Sequence, residues 1–363
     1  MKIPLTEPYI AGNEIKYVND CIRSTWISGG KYVKIFEEKF SKFCKTKYAT
    51  SVTSGTAALH VALYALSLGT KDEVIIPDLT YVASSNAVTY TGAKPVFVDV
   101  NKETGTIDPE KIEEKISKRT KAIIAVHLYG HPCDMDIINE IARQHKLIVI
   151  EDACEAHGAL YKSRPTGSLS RAGCFSFFGN KTITTGEGGM IVSNDKKLIE
   201  KINYLKFHSM TKKNYYYHDS IGFNYRLTNL QSAFGLAQLE KVQEVLKKKR
   251  KNAEIYNLLL KDIDEVRLPV EKNWAKSSYW LYSIVLRKKG LRNKLIKALR
   301  KKNIDTRPFF IPMHALPMFR QKGDFRNSSF LSENGMNLPS SPLLEENQIE
   351  FICEQIKKII KND

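Results

Sequence analysis

The segment KAIIAVHLYGHPCDMDIINEIARQHKLIVIED, residues 121–152, contains the pattern that decides the fold. Its first run, 121–129, and its last run, 146–152, are apolar at nearly every position, which is typical of strands covered on both faces. The residues between them, 134–145, follow a helical pattern. Strand, helix and strand in this order predict two parallel strands joined by a crossover helix.

The same alternation extends in both directions along the chain, from about residue 50 to residue 195. Further apolar runs that predict strands lie at 74–77, 95–100, 174–178 and 189–194. Further helical patterns lie at 56–67, 82–91 and 108–117. The predicted fold class is therefore α/β, with a mostly parallel sheet wrapped by helices.

The pattern changes after about residue 230, where a long charged helical stretch runs to about residue 261. A strand-like segment at 278–287, a helix at 290–302 and a proline-rich segment at 306–317 follow it. This order predicts a smaller C-terminal α+β domain. We expect a large domain over 1–235 and a small domain over 236–363, since 363 residues suffice for two domains.

Composition narrows the class of protein. The formal net charge of +17 permits an anionic partner, but the densest basic run, at 241–254, reads as the solvated face of a helix. No nucleic-acid-binding motif accompanies that run. No apolar stretch is long enough for a membrane span, and the first residues lack a signal-peptide pattern. We expect a cytoplasmic protein that binds neither nucleic acid nor membrane.

The cysteines are spaced singly, without the CxxC pairs typical of zinc sites, so no metal site is predicted. They suggest reduced and mostly buried thiols. The positions are Cys21, Cys44, Cys133, Cys154, Cys174 and Cys353.

A Ser-Gly-Thr turn leads directly into a helical pattern in TSGTAALHVALYAL, which begins at Thr53. Free backbone N–H groups at the start of a helix form an anion site. Gly55 would let the backbone approach a phosphate closely, and Thr56 would add a hydroxyl. The alternative is a simple helix N-cap.

Two further positions follow predicted strands. Tyr81 comes just after a strand end, where its ring could stack on a flat cofactor or pack in the core. Asp152 ends a buried strand beside Glu151, and ligands of open α/β sheets bind beyond the carboxyl ends of strands. A buried carboxylate needs a cationic partner. The alternatives for Asp152 are a helix N-cap and a structural ion pair.

Lys181 occupies an unusual place in GCFSFFGNKTITTGEGGMIVSND, residues 173–195. An apolar strand leads to this lysine, and a glycine-rich loop and another strand follow it. A lysine that forms a Schiff base must reach an aldehyde at close range with its amine partly neutral. Ser176 precedes it by five positions, where its hydroxyl could reach a phosphate.

These motifs resemble those of the sugar-nucleotide aminotransferases, a family of fold-type-I enzymes that depend on pyridoxal phosphate (PLP). The resemblance covers nearly the whole chain. It is strongest in SGTAALH (54–60), EDACEAHGA (151–159), SFFGNKTITTGEGGM (176–190) and GFNYRLTNLQSA (222–233).

The resemblance implies a role for each matching residue. Lys181 would form the Schiff base with the cofactor and later move protons, and Asp152 would pair with the pyridine nitrogen. Glu155 would meet the ring hydroxyl, and Tyr81 would stack on the ring. The phosphate would be held by Gly55, Thr56 and Ser176 of the same subunit and by Asn224 of its neighbour, which implies a homodimer with shared active sites.

Two positions show how this chain relates to particular members of the family. Many relatives carry Gln where this chain has Glu155, so proton sharing at the ring oxygen is expected to differ. Some relatives are dehydratases with His at the lysine position, so Lys181 favours transamination. The family usually takes glutamate as amino donor, and its amino-sugar products usually feed surface polysaccharides.

The substrate is predicted from two segments, 24–40 and 304–319. They are most similar to the members that aminate carbon 4 of GDP-4-keto-6-deoxymannose and so produce GDP-perosamine. A UDP- or TDP-linked 4-keto-6-deoxy sugar and a keto-octulosonate are the alternatives. Candidate substrate contacts are Trp26, Arg307 and His314, although Trp26 could equally anchor the core. Arg suits the geometry of a diphosphate.

Other interpretations remain open at this point. His127 is expected to be a hydrogen-bonded histidine near the sheet end, and His157 could border the cofactor or serve the structure. A PLP-dependent lyase or desulfurase is one rival, but a desulfurase needs a mobile cysteine, and Cys154 and Cys174 look buried. The other rival is a non-enzymatic basic binding or regulatory protein, which the intact Lys181 and Asp152 argue against.

Overall fold

The computed structural model describes residues 2–211 and 213–362. The helices are α1 (Glu14–Ser24), α2 (Lys31–Phe43), α3 (Gly55–Ala65), α4 (Ala83–Tyr90), α5 (Met135–Gln144), α6 (Lys196–Leu205), α7 (Asn229–Glu240), α8 (Val242–Leu260), α9 (Leu291–Lys301), α10 (Arg326–Asn334) and α11 (Glu346–Lys361). The strands are β1 (Tyr48–Val52), β2 (Glu73–Pro77), β3 (Lys94–Val98), β4 (Thr120–Val126), β5 (Ile148–Asp152), β6 (Leu160–Tyr161), β7 (Arg164–Pro165), β8 (Ala172–Ser176), β9 (Gly189–Ser193), β10 (Val266–Arg267), β11 (Ala275–Lys276), β12 (Tyr282–Leu286), β13 (Arg307–Pro308) and β14 (Gly335–Leu338).

A large mixed sheet forms the centre of the molecule. Within the described residues it has seven strands in the order β1-β9-β8-β5-β4-β2-β3. Strand β9 is antiparallel to both of its neighbours, and the pairs from β8 to β3 are parallel. The mostly parallel sheet predicted from the sequence is thus confirmed. Val126, Asp152 and Cys174 lie side by side in this register, so the carboxyl ends of three strands meet at one edge.

Helices cover both faces of this sheet, which explains why several of its strands are apolar at nearly every position. On one face α3, α4 and α6 enclose a core that includes Leu59, Ile76 and Ile124. On the other face α5 encloses a second core that includes Ile123 and Ile138. The helix α3 is buried at almost every position, so it is held between the sheet and its neighbours rather than at the surface.

The C-terminal part is built around a smaller antiparallel sheet with the strand order β10-β12-β14-β13. Helices α8, α9 and α11 contribute to its core. The N-terminal segment also joins this part, because Ile3 pairs with Ile304 and is buried in the same core. The division of the chain at residue 235, which falls inside α7, stays a prediction.

One predicted helix is wrong. Residues 108–117 do not form an α-helix but two short 3₁₀ turns, Pro109–Lys111 and Glu113–Lys115. Asp108 caps the first turn through the N–H of Glu110, and Ile112 is fully buried between the turns. The backbone becomes extended at Ile116, so the helical pattern of apolar residues is satisfied by two turns alone.

Candidate active site

A cavity of about 310 Å³ opens at the carboxyl edge of the large sheet. The residues that the sequence singles out for the cofactor line this cavity, with the exception of Asn224. They are Gly55, Thr56, Tyr81, Asp152, Glu155, Ser176 and Lys181. Segments that are distant in the sequence thus meet in one concave site, as expected at the strand ends of an open α/β sheet.

Lys181 lies in the turn between β8 and β9. Its backbone N–H donates to the carbonyl of Phe178 at 2.9 Å, which closes the turn and directs the side chain into the cavity. The Nζ atom is 3.6 Å from Oε1 of Glu155 and 3.7 Å from the ring centroid of Trp280. The lysine side chain is 11% exposed, so its amine is within the cavity and reaches solvent only in part.

Asp152 is the last residue of β5, and both of its carboxylate oxygens have partners. The hydroxyl of Ser84, in the first turn of α4, donates to Oδ2 at 2.7 Å. The N–H of Cys154 donates to Oδ1 at 3.2 Å. These donors fix the carboxylate, and none of the described lysine, arginine or histidine side chains forms an ion pair with it, so a positive group of a ligand can serve as its ionic partner.

Glu155 is almost fully buried and faces Lys181 with one oxygen. Its other oxygen, Oε2, accepts a hydrogen bond of 2.9 Å from the backbone N–H of Tyr129. Burial raises the pKa of Glu155, and the nearby Lys181 partly opposes that shift. Tyr129 has a left-handed backbone with φ 52° and ψ 16°, which is uncommon outside glycine and is often found at functional sites.

The start of α3 forms a cradle next to these residues. Ser54 caps the helix by accepting from the N–H of Ala57 at 3.1 Å, so the predicted N-cap is present. A Cβ atom added to Gly55 would lie 2.8 Å from Sγ of Cys154 and 2.8 Å from Cβ of Ser176. Glycine at this position therefore lets the first turn of α3 pack directly against Cys154 and Ser176 at the edge of the cavity.

Tyr81 and Phe310 form part of the cavity wall, with ring centroids 5.5 Å apart. Tyr81 is 56% exposed, so its ring is not a core side chain. Of the two interpretations of this tyrosine, core packing does not fit this exposure. An accessible ring at the mouth of the cavity remains available to a flat ligand.

The remaining predicted site residues do not line this cavity. Asn224 is exposed in a segment whose backbone bridges to Phe207. Trp26 is 68% exposed after the end of α1, so it is not a core anchor within the described chain. Arg307 is exposed on β13 and forms an ion pair with Asp305. Their roles toward cofactor or substrate stay predictions.

His314 binds Asp78, which directly follows β2. Its ring Nδ1 lies 2.7 Å from Oδ2 of Asp78, and its backbone N–H donates to Oδ1 of the same residue at 2.8 Å. The ring also stacks on Phe325 with 4.5 Å between centroids. This histidine fastens the proline-rich segment to the end of β2, next to the cavity wall.

The two other histidines considered in the sequence analysis, His127 and His157, have structural contacts. His127 is hydrogen-bonded on both ring nitrogens, to Glu151 at 3.0 Å and to the N–H of Cys133 at 3.0 Å, as predicted. His157 packs against Phe40 and Phe175, and burial lowers its pKa to about 3. It is therefore a neutral side chain of the aromatic core.

The two cysteines that bear on a desulfurase differ in position. Cys174 is buried in β8, as predicted. The expectation of a buried Cys154 is wrong, because this residue is partly exposed and lines the cavity. Burial of its thiol nevertheless raises the pKa of Cys154 well above the usual value, which disfavours a reactive thiolate.

Sequence reasoning missed three residues of the site. Ser84 holds Asp152, Trp280 lies beneath the Lys181 amine, and Phe310 closes the wall beside Tyr81. Ser84 lies three residues after Tyr81 in a helical pattern, so the serine could have been singled out as a donor near the strand end. Trp280 and Phe310 had no such signal, since their contacts join distant parts of the chain.

The residues of this cavity fit PLP. The N-terminus of α3 at Gly55 and Thr56, together with the hydroxyl of Ser176, lines one part of the cavity and suits a phosphate. Asp152 offers a carboxylate to a protonated pyridine nitrogen, and Lys181 offers an amine to an aldehyde in the same cavity. Fold and site together define a fold-type-I PLP enzyme.

Comparison with known proteins identifies the group within that class. Residues 8–357 match the DegT/DnrJ/EryC1/StrS aminotransferase family. A GDP-perosamine synthase of Escherichia coli O157:H7 is 46% identical over 358 residues, 98% of each chain. A GDP-perosamine synthase of Vibrio cholerae is 44% identical over 361 residues, again 98% of each chain.

The PLP form of the protein Spr1654 from Streptococcus pneumoniae superposes with a TM-score of 0.95 at 27% identity. That match covers 100% of this chain and 99% of the other. The chain belongs to the DegT/DnrJ/EryC1/StrS aminotransferase family, and its cofactor is PLP. Within residues 2–211 and 213–362, none of the helices is long and apolar enough to cross a membrane.

Proposed function

We propose that this protein transfers an amino group from glutamate to carbon 4 of GDP-4-keto-6-deoxymannose, giving GDP-perosamine. The observation that carries this proposal is the identity of 46% and 44%, over almost the full length, with two enzymes named GDP-perosamine synthase. The lysine and carboxylates that an aminotransferase needs meet in one cavity of this chain, which supports the class of reaction.

When it is bound, PLP supplies an aldehyde that bonds an amino group and a ring that accepts an electron pair. The protein supplies the proton transfers and the fixed charges. Nζ of Lys181 would take the proton from the α-carbon of the donor amino acid and pass it to the former aldehyde carbon, and with the keto sugar it would carry a proton in the reverse direction to carbon 4 of the sugar. Its position in the cavity, beside Glu155, keeps the amine within reach of both steps.

Asp152 acts as a fixed negative charge that keeps the ring nitrogen protonated. Because Ser84 and the N–H of Cys154 hold its two oxygens, the carboxylate does not have to reorganise during the reaction. Glu155 would share a proton with the ring hydroxyl, and its raised pKa makes it a better proton holder at neutral pH than an exposed glutamate. The N-terminus of α3, with Thr56 and Ser176, would hold the phosphate.

We further propose a homodimer in which Asn224 of one subunit reaches the cofactor phosphate of the other. The exposure of Asn224 and its absence from the cavity of its own chain support this arrangement. Mixing the inactive variants Asn224→Ala and Lys181→Ala tests it. A mixed dimer has one site free of both substitutions and should recover activity, whereas mixtures that stay inactive would contradict shared sites.

The experiment that tests the proposed function is turnover with glutamate against a panel of GDP-, UDP- and TDP-linked 4-keto-6-deoxy sugars. We expect 2-oxoglutarate and an aminated sugar with GDP-4-keto-6-deoxymannose. Exclusive use of a UDP- or TDP-linked sugar would overturn the substrate while leaving the reaction class intact. The same panel with variants of Trp26, Arg307 and His314 tests whether they contact the nucleotide sugar, because a contact residue raises KM for that substrate.

A further inference from the structure

Trp280 belongs to the C-terminal part of the chain but reaches into the active site. Its side chain is buried, and its ring centroid lies 3.7 Å from Nζ of Lys181. Its Nε1–H donates to the carbonyl of Asn180 at 2.8 Å, one residue before that lysine. The indole therefore contacts the lysine amine with its face and the backbone of the lysine turn with its edge.

We propose that Trp280 is a positioning residue on which the Lys181 ammonium rests whenever this amine is not bonded to the cofactor. The inference rests on the role of Lys181 in the proposed function but not on the identity of the sugar. The face of an aromatic ring attracts a cation, and tryptophan does so best. An amine that is released from the cofactor would thus stay inside the cavity instead of turning toward solvent.

Further contacts hold the indole ring and the backbone of Trp280 in place. Tyr129 lies roughly parallel to it, with 6.2 Å between centroids and 29° between planes. The carbonyl of Trp280 accepts from Nζ of Lys249 at 3.1 Å, and the same amine donates to the carbonyl of Ser340 at 2.7 Å. Lys249 is fully buried in α8, and burial lowers its pKa to about 7. The position of the Trp280 backbone is therefore set by α8 and by the residues that follow β14.

Other titratable groups also face Lys181. Glu155 is 3.6 Å from the amine, and Asp152 and Glu187 line the same cavity. Cys154 and His157 are close, but burial raises the pKa of the thiol and lowers that of the imidazole to about 3, so both are neutral near pH 7. The carboxylates and the indole all attract the charged amine. The contribution of the ring to this attraction must therefore be measured by changing the ring alone.

The experiment is competitive labelling of Lys181 with acetic anhydride over a range of pH, read by mass spectrometry. It uses the full chain without cofactor, so that the amine is free and no substrate is involved. We expect Trp280→Leu to raise the rate at which Lys181 is labelled near neutral pH by roughly 2- to 30-fold, from the range of cation–π energies. Trp280→Phe, which keeps a ring but loses the Nε1–H, should give a smaller increase.

Trp274→Leu is the matched control. Trp274 packs on His131 and Tyr161 and does not line the cavity, so this substitution should leave the labelling curve of Lys181 unchanged. If the Trp280→Leu curve superposes on that of the parent protein, or moves to higher pH, the proposal is overturned. If Trp280→Leu does not fold, the labelling curve of Lys181 in Trp280→Phe tests the proposal by the same criteria. A wrong sugar assignment would change none of these curves.

Discussion

Nζ of Lys181 lies 3.6 Å from Oε1 of Glu155, and the two side chains are only 11% and 6% exposed. The distance is longer than a hydrogen bond but short enough for a strong electrostatic interaction in a place with little water. The second oxygen of Glu155 is held by the Tyr129 N–H. The base of the cavity therefore carries a carboxyl group that is fixed in position and sensitive to the charge of the lysine.

Glu155→Gln should change how stability depends on pH. Because burial raises the pKa of Glu155, the native protein binds this proton more tightly than the unfolded chain. The stability that this proton contributes is present below the usual glutamate pKa of about 4.3 and is lost as pH rises through the raised value. The glutamine variant lacks that loss. The difference in the free energy of unfolding, variant minus parent, should therefore increase as pH rises.

Urea unfolding of both proteins over a series of pH values measures this difference. Glu350→Gln on the exposed side of α11 is the control. The difference between its free energy of unfolding and that of the parent should not vary over this pH series. A constant difference for Glu155→Gln would show that the buried carboxyl titrates as it does in the unfolded chain, contrary to our expectation.

Asp152→Asn should lower kcat by about a hundredfold or more, the size typical of losing one preorganised electrostatic contact. Asparagine keeps the shape and an acceptor for the Cys154 N–H but loses the negative charge. Ser84→Ala removes the 2.7 Å hydrogen bond to the same carboxylate but leaves its charge, so it should cost roughly tenfold, the lower end of the range of about 1.5–3 kcal/mol that hydrogen bonds to charged groups contribute. Steady-state kinetics with glutamate check both values, and equal losses for the two variants would contradict the role of the charge.

Gly55→Ala should weaken cofactor binding and destabilise the protein by about 1–3 kcal/mol, as overpacking usually does. The new methyl group would lie 2.8 Å from atoms of Cys154 and Ser176, so either these residues or the start of α3 must move. Gly69→Ala is the control, because its methyl group would meet nothing closer than the carbonyl of Thr91 at 4.0 Å. Equilibrium dialysis with PLP compares the variants, and similar affinities would argue against a cradle at Gly55.

His314→Ala should lower the melting temperature, with a loss of about 1–3 kcal/mol in the free energy of unfolding. Asp78 is fully buried and would lose its ring partner while keeping the hydrogen bond from the backbone N–H of residue 314. His145→Ala breaks an exposed pair with Glu113 and should cost little. Thermal unfolding separates the two variants, and equal melting temperatures would show that the Asp78 contact contributes nothing measurable.

Much of the fold was predictable because the decisive signals are local. Strand runs at 74–77, 121–129 and 174–178 are short and apolar, and each lies within a few residues of β2, β4 and β8. The error at 108–117 came from a helical pattern that two 3₁₀ turns satisfy equally well. The association of Ile3 with Ile304 could not be read from the sequence, since it depends on a pairing across 301 positions.

The residues of the candidate site also fall into two groups, those marked by local sequence signals and those found only through tertiary contacts. Lys181, Asp152 and Gly55 are marked by their places at strand ends and helix starts, and the structure brings all three together. Trp280 has no such mark, because its segment reads as an ordinary strand and β12 begins only at Tyr282. The residues before that strand turn into the active site, a feature fixed by packing between the two parts of the chain.

The Schiff base between Lys181 and PLP is tested most directly by reducing the PLP-loaded protein with borohydride and mapping the modified residue by mass spectrometry. We expect a single modified site at Lys181, and Lys181→Ala should abolish the labelling. Modification of another lysine, such as the buried Lys206 or Lys249, or no modification at all, would contradict this assignment.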